Sequence, residues 1–312
     1  MACQEEGLLL DEYPKEKFWE ILDLYQLDGY WYSGDVIPGM LAFKSEFEAL
    51  SDDVILASSM KTGTTWLKAL CICIMGNQRK NDGDEVDQLE VKNPHDHIKC
   101  LEYLYYFNLL SKLKDMQSPR VFNTHLPYSA LPESIKNSEC KIVYIARNPK
   151  DTFVSLWHFF NQILPPNTEP YPLEKAYDSF IKGIHLFGPF HDHVLEYWQE
   201  SLKNPNKLLF LKYEDLKRDP KGEVRKLASF LGRPFGDEDN DEVDKVLWRS
   251  SFERLKNLEV NKNGKLSDSG VPNSSFFRLG NVGDWQNCFT DEMKQGLDEI
   301  TCKKFEGSGL DL

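Results

Sequence analysis

The chain has few of the features that mark membrane, secreted or nucleic-acid-binding proteins. Its longest apolar run, residues 69–75, is far shorter than the roughly 20 residues that a membrane-spanning helix needs. The first residues, MACQEEGLLLDE, are acidic and lack the basic start and apolar core of a secretory signal peptide. The net charge of −13 argues against a general role on nucleic acids or anionic membrane surfaces. We therefore expect a soluble cytosolic protein in which any anionic ligand binds to a local positive pocket.

Cysteine usage argues against a disulfide framework. The seven cysteines are odd in number, form no C-x-x-C pair and show no spacing typical of a metal site. Free thiols in a reducing compartment are the expected state. With 312 residues, 41% of them hydrophobic, the chain is long enough for one large core.

Strands and helices alternate along the sequence. Short apolar segments rich in β-branched or large residues predict strands at residues 54–58, 121–124, 142–146 and 208–211. Helical patterns cover residues 66–75, 151–160 and 173–202, the last with an interruption at Gly188-Pro189. Polar or acidic composition predicts loops at residues 77–96, 236–244 and 261–275. This alternation predicts an α/β domain with a parallel sheet that helices cover on both faces.

The first strand leads into the sequence KTGTT at residues 61–65 and then into an amphipathic helix. The N–H groups at a helix start and the helix dipole favour an anion, and Lys61 adds a full positive charge. The nucleotide-binding loop G-x-x-x-x-G-K-[ST] has a different order, because here the lysine precedes Gly63 by two residues. From these residues alone, an ordinary strand-to-helix turn with Thr62 or Thr64 as the N-cap remains open.

Each of the four predicted strands ends near a residue with useful chemistry. These residues are Lys61, His125, Arg147 and Tyr213. Ligands bind beyond the carboxyl ends of the strands in open parallel sheets, so one rim would hold a base, two cations and an aromatic platform. Structural roles remain open for each, such as a packed tyrosine or an arginine paired with Asp151.

Two further segments suggest anion binding. Ser155 lies eight residues after Arg147, and if Asp151 or Thr152 caps the following helix, its hydroxyl falls within the first turn. A solvent-facing serine is the alternative. Residues 277–285, FRLGNVGDW, form a basic segment punctuated by glycine, for which a plain turn is the alternative.

Taken together, the motifs KTGTTW, THLP, RNPKD, LKYED and RxGxxGDW resemble those of the cytosolic sulfotransferases that use 3′-phosphoadenosine 5′-phosphosulfate (PAPS). GTTWLKAL, and NPHD before LE, are similar to the plant branch, which sulfates flavonols and hormones. The resemblance spans the chain from about Asp53 to the end. It implies a single domain of residues 1–312 with the P-loop-NTPase-like sulfotransferase fold. Residues 1–50 would be an extension that covers the pocket, and residues 51–308 the catalytic core.

The resemblance also implies roles for individual residues. His125 would be the catalytic base, and Lys61 would stabilise charge on the leaving oxygen without a metal. The loop for the 5′-phosphosulfate would comprise Lys61, Thr62, Gly63, Thr64, Thr65 and Trp66, with Trp66 stacked on the adenine. The 3′-phosphate would bind to Arg147, Ser155, Arg278, Leu279 and Gly280. The adenine pocket would be completed by Tyr213, Ser250 and Phe252.

Four residues depart from the family pattern. Met60 replaces a proline before the lysine, and Asn123 stands where some relatives have a lysine two residues before the histidine. Leu279 replaces the lysine of R-K-G, and Gln286 replaces a nearby lysine. Because charge-assisted contacts to a phosphate are the stronger ones, we expect weaker cofactor binding that depends more on Arg147 and Arg278.

The resemblance implies an acceptor that is a small hydroxylated plant metabolite. A flavonol is expected first, with hydroxyjasmonate, a brassinosteroid or a desulfo-glucosinolate behind it. We expect its pocket to be built from Tyr30, Trp31, Phe159 and Phe160 and from the segment after Asn77. No nucleic-acid or membrane partner is expected.

Two alternatives remain open from the sequence. A P-loop kinase or NTPase would need a magnesium-binding aspartate directly after an apolar strand, whereas Lys212 and Tyr213 stand before Glu214-Asp215. The second alternative is a protein of the same fold that binds PAP, the desulfated product of PAPS, but has lost turnover through Met60 and Leu279.

Overall fold

Two sheets organise the computed structural model, which describes residues 10–76, 87–107, 109, 113, 116–165, 167–236 and 238–312. An antiparallel sheet near the N-terminus contains β1 (Lys15–Phe18), β2 (Leu22–Leu27) and β3 (Tyr30–Ser33). A parallel sheet follows, in the order β5-β4-β6-β7. Its strands are β4 (Val54–Ala57), β5 (Val121–Thr124), β6 (Lys141–Ala146) and β7 (Leu208–Lys212). The four strands predicted from sequence are confirmed to within one residue at each end, and so is the parallel sheet.

The parallel strands are apolar because helices cover both faces of the sheet. Alternate residues of β4 enter two different core clusters, Ile55 on one face and Leu56 on the other. Both are fully buried. Parallel strands that are buried on both faces read as continuous hydrophobic runs, and this is the signal that the sequence carries. The predicted α/β class is confirmed.

The helices up to the middle of the chain are α1 (Ile37–Glu46), α2 (Thr64–Met75), α3 (Gln88–Val91), α4 (Pro94–His97), α5 (Leu101–Tyr106), α6 (Glu133–Asn137), α7 (Pro149–Ile163) and α8 (Leu173–Ile181). They are followed by α9 (Phe190–Lys203), α10 (Tyr213–Arg218), α11 (Pro220–Phe230), α12 (Asn240–Arg249), α13 (Phe252–Asn257), α14 (Glu259–Asn263) and α15 (Asp291–Phe305). Short 3₁₀ turns occur at Leu10–Glu12, Tyr128–Ala130, Asn273–Phe276 and Asp284–Asn287. Across the part of the chain that the structure describes, every helix is too short or too polar to traverse a bilayer.

The start of α7 differs from the prediction. Asn148 is the N-cap, its side chain accepts a hydrogen bond from the Lys150 backbone N–H, and Pro149 takes the first helical position. The condition under which Ser155 was expected in the first turn, a cap at Asp151 or Thr152, is therefore not met. Ser155 lies in the second turn, not in the first.

All three predicted loops are partly helical. α12 begins inside the acidic run at 236–244, because Asp241 and Glu242 complement the dipole of its first turn while Val243 and Val246 bury its apolar side. α3 and α4 lie within the predicted loop at 77–96, of which residues 77–86 are outside the described residues. The third predicted loop, 261–275, begins inside α14 and ends inside the 3₁₀ turn Asn273–Phe276, and only residues 264–272 are irregular.

The antiparallel sheet had no counterpart in the sequence-based prediction. It packs into the same core cluster as β5 and β6, through residues such as Phe18 and Tyr32. β3 is also joined to the chain before α9, since the Trp31 N–H donates to the Gly188 carbonyl (2.9 Å) and the Phe187 N–H donates to the Trp31 carbonyl (2.8 Å). Among the described strands, β1 lies at the outer edge of the sheet, and its Lys15, Glu16 and Lys17 are exposed.

Candidate functional site

A cavity of about 370 Å³ lies beyond the carboxyl ends of the parallel strands. The residues that line it follow each of the four strands, as expected for an open parallel sheet. The structure brings together around it every catalytic or cofactor-binding residue named from the sequence except Thr62. These are Lys61, Gly63, Thr64, Thr65, Trp66, His125, Arg147, Ser155, Tyr213, Ser250, Phe252, Arg278, Leu279 and Gly280.

The turn between β4 and α2 is built around Gly63. This residue is the N-cap of α2 with φ +117°, and no side chain caps the helix, so the alternative of Thr62 or Thr64 as the cap is wrong. A Cβ at Gly63 would lie 2.8 Å from the Tyr213 ring, so this position also has no room for a side chain. Thr62 is buried and its hydroxyl lies 2.9 Å from both the Ser59 and the Ile145 carbonyls. Thr62 therefore holds the loop to β6.

Lys61 adopts a conformation that is unusual for its residue type. Its φ is +68°, in the left-handed region, which costs a non-glycine residue on the order of 1 kcal/mol. Its Nζ lies 4.0 Å from the centre of the Phe159 ring and 5.5 Å from that of Phe276. Burial, followed by repulsion from Arg147 and Arg278, lowers the pKa of Lys61 to about 7. The loop thus holds a destabilised cation next to two others.

Hydrogen bonds orient His125, the residue that follows β5. Its Nδ1 lies 2.9 Å from the Ser58 carbonyl, which can only accept, so Nδ1 carries the proton and Nε2 the lone pair. Its backbone N–H donates to Glu102 Oε1 (2.7 Å). Among the residues that the structure describes, none is hydrogen-bonded to Nε2 of this ring. Burial is the largest cause that lowers the pKa of His125 to about 3, so the ring is neutral near physiological pH.

Arg147, which follows β6, is a buried cation with unused donor capacity. Its guanidinium lies 4.5 Å from the centre of the Tyr213 ring, and Nη2 donates to the Asn281 carbonyl (2.5 Å). The Asp151 carboxylate is 3.5 Å away. Within the described residues the buried Nε–H has no hydrogen-bond partner. A buried donor without a partner costs free energy, and an anion in the cavity would satisfy it.

The loop at 278–280 closes over the same side of the cavity. Gly280 has φ +67°, and a Cβ there would lie 2.6 Å from the Phe252 ring. The Tyr213 hydroxyl donates to the Gly280 carbonyl (2.9 Å), which fixes the loop to α10. Leu279 is 42% exposed, so its side chain is not part of the core. Arg278 pairs with Asp284 at 2.6 Å.

The remaining predicted residues differ in whether contacts within the protein already engage their side chains. Trp66 packs edge-on against Tyr213, with ring centres 5.6 Å apart. Ser155 lines the cavity from the second turn of α7. The Ser250 hydroxyl is buried and donates to the Val246 carbonyl (2.8 Å), so this side chain is engaged by its own helix.

The predicted acceptor residues are only partly correct. Phe159 lines the cavity, whereas Tyr30, Trp31 and Phe160 are not among the described residues that line it. Phe160 packs with Phe18 at 4.9 Å, and the Tyr30 hydroxyl donates to Glu196 (2.8 Å). The segment directly after Asn77 lies outside the described residues.

Sequence reasoning missed several residues of the cavity wall. His95 stacks on Phe276 with ring centres 4.2 Å apart, and both line the cavity. The signal for His95 was the sequence NPHD, in which Asn93 caps α4 and Pro94 takes its first position. Gln162, Leu247 and Lys217 also line the cavity and gave no comparable signal.

Comparisons with known proteins agree with this geometry. The model of the family described as sulfotransferase domain matches residues 51–309. Cytosolic sulfotransferase 12 of Arabidopsis thaliana is 42% identical over 310 residues, which are 98% of this chain and 94% of that protein. A solved Arabidopsis thaliana protein with a provisional assignment as a steroid sulphotransferase is 36% identical, with a TM-score of 0.77 and coverage of 99% and 95%. A mouse sulfotransferase in complex with PAP is 30% identical, with a TM-score of 0.70 and coverage of 91% and 95%.

A family model that spans most of the chain and relatives that align along nearly its whole length lead to one assignment. The chain belongs to the sulfotransferase family, with relatives among the plant cytosolic enzymes.

Proposed function

We propose that this enzyme transfers the sulfuryl group of PAPS to a hydroxyl group of a small acceptor. The observation that carries the proposal is the cavity that a neutral His125 shares with the cations Lys61 and Arg147. Among the described residues, Nε2 of His125 has no hydrogen-bond partner. Sulfuryl transfer needs a base for the acceptor proton and positive charge at the leaving oxygen. The mouse relative solved with PAP supports the same co-substrate class.

The unused donors fit a nucleotide with phosphates at both ends. The uncapped start of α2 and Lys61 would hold the 5′-phosphosulfate. The Arg147 Nε–H, which has no partner within the described part of the chain, would hold the 3′-phosphate together with Ser155 and the loop 278–280. Trp66, Tyr213 and Phe252 would enclose the adenine. Thr62 and Ser250 would contribute through the backbone or through packing, because their hydroxyls are already bonded.

His125 is set up to accept a proton at Nε2. Its Nδ1–H donates to the Ser58 carbonyl, which stabilises the ring when it becomes an imidazolium. The charge of Lys61 contributes to the low pKa of His125. An anionic sulfate beside that ammonium offsets the repulsion and raises the pKa of the base. PAPS itself supplies an activated sulfuryl group, and Lys61 would stabilise the charge that develops on the leaving oxygen.

We propose a flat, largely apolar phenol as the acceptor, with flavonols first. Support comes from the apolar and aromatic side chains of Met60, Phe159 and Phe276, which line the same cavity as His125, with the two rings next to Lys61. Hydroxyjasmonate, brassinosteroids and desulfo-glucosinolates are the other candidates. The test is transfer of radiolabelled sulfate from PAPS across a panel of these compounds. No transfer to any hydroxyl compound by a folded, PAP-binding protein would contradict the proposal.

The two alternatives are not favoured. A kinase or NTPase, or a PAP-binding protein without turnover, fits less well with a family match over residues 51–309 and with relatives named as sulfotransferases. Within the described residues, no group of histidine, cysteine, aspartate or glutamate side chains is arranged to hold a metal ion. We also infer a cytosolic location, as for the named relatives.

We further infer a single domain of residues 1–312, with residues 1–50 as the covering extension and 51–308 as the catalytic core. The antiparallel sheet supports this inference, because β3 pairs with the chain before α9 and packs into the shared core.

Because Leu279 is exposed, the effect of a positive charge at this position can be tested by substitution. We expect Leu279→Lys to tighten PAP binding by roughly three- to tenfold, since it restores a partly solvated cation beside Arg278. Titration calorimetry at low and moderate salt should show that the gain shrinks with salt. Leu279→Gln is the uncharged control and should leave affinity unchanged. If Leu279→Lys binds no tighter while its melting temperature is preserved, the loop 278–280 does not reach the phosphate.

The low pKa of Lys61 predicts that ligand binding takes up a proton. The pKa of about 7 in the free protein rises when an anion binds beside the ammonium. At about pH 8 Lys61 is mostly neutral, so PAP binding should take up nearly one proton, and affinity should fall as pH rises above 7. Calorimetry in buffers of different ionisation enthalpy measures this uptake. Lys61→Arg keeps the charge at every pH and should abolish it; equal uptake in both proteins would assign the proton to another group.

A further inference from the structure

Three polar residues beside the phosphosulfate loop form a chain of contacts that the proposed mechanism does not use. Lys68, on α2, is only 1% exposed, and its Nζ lies 3.0 Å from His95 Nδ1 and 2.9 Å from the Ile98 carbonyl. The other ring nitrogen, His95 Nε2, lies 2.8 Å from Thr65 Oγ1. Thr65 and His95 both line the cavity.

The donors and acceptors in this chain have one consistent direction. An ammonium only donates, so His95 Nδ1 accepts from Lys68 and the ring proton is on Nε2. Nε2–H then donates to Thr65 Oγ1. In the described part of the chain no other hydrogen bond engages this hydroxyl. The single hydroxyl proton of Thr65 is therefore left for an oxygen in the cavity.

The ionisation states agree with this direction. Burial, followed by the charge of Lys68, lowers the pKa of His95 well below its ordinary value, so the ring stays neutral. Burial lowers the pKa of Lys68 to about 8, which leaves it mostly an ammonium at neutral pH. His95 is thus not a second base, because its only lone pair is taken by Lys68.

We propose that Lys68 and His95 are positioning residues that keep the Thr65 hydroxyl as a hydrogen-bond donor to an oxygen of the bound 5′-phosphosulfate. The identity of that oxygen rests on the proposed function. Without Lys68 the ring can carry its proton on Nδ1, and Thr65 can then donate to Nε2. The hydroxyl would present its lone pairs to the anion, which is repulsive.

The surroundings fix the ring of His95. The Asn93 side chain accepts from the His95 backbone N–H (2.9 Å) and donates to Asn261 Oδ1 (2.9 Å). Phe276 stacks on one face of the ring, with an interplanar angle of 26°. A buried lysine is costly where an apolar residue would fill the space, so its place next to a histidine of the cavity wall favours a role in the site.

The tautomer is measured first, on the ligand-free protein. Nitrogen-15 NMR of histidine-labelled protein distinguishes a protonated from an unprotonated ring nitrogen, and His95→Phe assigns the signals by their disappearance. We expect wild-type His95 to be protonated on Nε2 alone at neutral pH. Protonation on Nδ1 overturns the proposal. This measurement needs no ligand, so it stands even if the proposed function fails.

A double-mutant cycle then tests the effect on the ligand. Lys68→Met should weaken PAP binding on the order of tenfold, the loss expected for one hydrogen bond to a charged group. Affinity for adenosine 3′-monophosphate, which lacks the 5′-phosphate, should stay within about twofold. In a Thr65→Val background, Lys68→Met should cause no further loss. Thr65→Ser keeps the hydroxyl and should preserve the wild-type response to Lys68→Met.

The cycle distinguishes an effect of Lys68 that acts through His95 and Thr65 from direct electrostatic attraction between Lys68 and the ligand. Additive losses would mean that Lys68 acts through its charge alone and would overturn the proposal. If Lys68→Met does not fold, as judged by its melting curve, Lys68→Leu, which also removes the donor to His95 Nδ1, replaces it in the cycle with the same expectation. If the wild-type protein binds neither PAP nor adenosine 3′-monophosphate, the proposed function fails and the assignment of Thr65 to a phosphosulfate falls with it.

Discussion

Replacement of His125 by alanine is expected to lower turnover by roughly a hundredfold to ten-thousandfold, the usual loss when a general base is removed. Affinity for PAP should change by less than about twofold, because Nε2 acts on the acceptor and contacts no phosphate in the proposed arrangement. The measurement is turnover of the best acceptor together with calorimetry of PAP.

A second histidine provides the control for that experiment. His97 lies on the short helix α4, outside the set of residues that line the cavity, and its Nε2 contacts the Gln88 carbonyl. His97→Gln keeps a donor at this position and should turn over at the wild-type rate. If His125→Ala retained half of the wild-type rate, His125 would not be the base.

Arg147→Ala should weaken PAP binding by roughly tenfold to a hundredfold, since it removes a buried charge-assisted donor to the 3′-phosphate. Affinity for adenosine 5′-monophosphate, which lacks the 3′-phosphate, should be nearly unchanged. The ratio of the two affinities, measured by calorimetry, isolates the 3′-phosphate contact.

Arg147→Lys is the matched control, because it keeps the charge but loses the planar fork and the stacking on Tyr213. It should fall between wild type and Arg147→Ala for PAP. An equal loss of affinity for both nucleotides in Arg147→Ala would mean that Arg147 maintains the fold through Asn281 and Asp151.

The parallel sheet was predictable because its signal is local. Each strand is a short apolar run. The functional side chains that follow these runs lie close together, because parallel strands end at the same edge of the sheet. The antiparallel sheet was not, since pairing of β1 with β2 and of β3 with Gly188 depends on contacts between distant parts of the chain. The acidic start of α12 carried a usable helix signal that composition alone obscured.

The same distinction holds for the site. Lys61 and Arg147 lie at the ends of their strands, as predicted from the sequence. The family motifs also predicted that Gly63 and Gly280 would lie near them. The anchoring of Thr62 was not predictable, because its hydroxyl meets the carbonyl of Ile145 only after β4 and β6 pair. The prediction that Phe160 and Tyr30 face the acceptor was wrong, because an aromatic residue in a sequence can belong either to a pocket wall or to the core.

The charged edge of the antiparallel sheet has a consequence for self-association. Among the described strands, β1 is the outermost of that sheet, and it carries the exposed Lys15, Glu16 and Lys17. Both lysines already bond to Asp23 of β2, at 2.8 and 2.6 Å. A second copy adding a strand here would have to strip water from these charges, which is how natural sheets prevent edge-to-edge aggregation. We therefore expect the charges of β1 to disfavour the addition of a strand from a second copy, and with it the growth of a continuous intermolecular sheet.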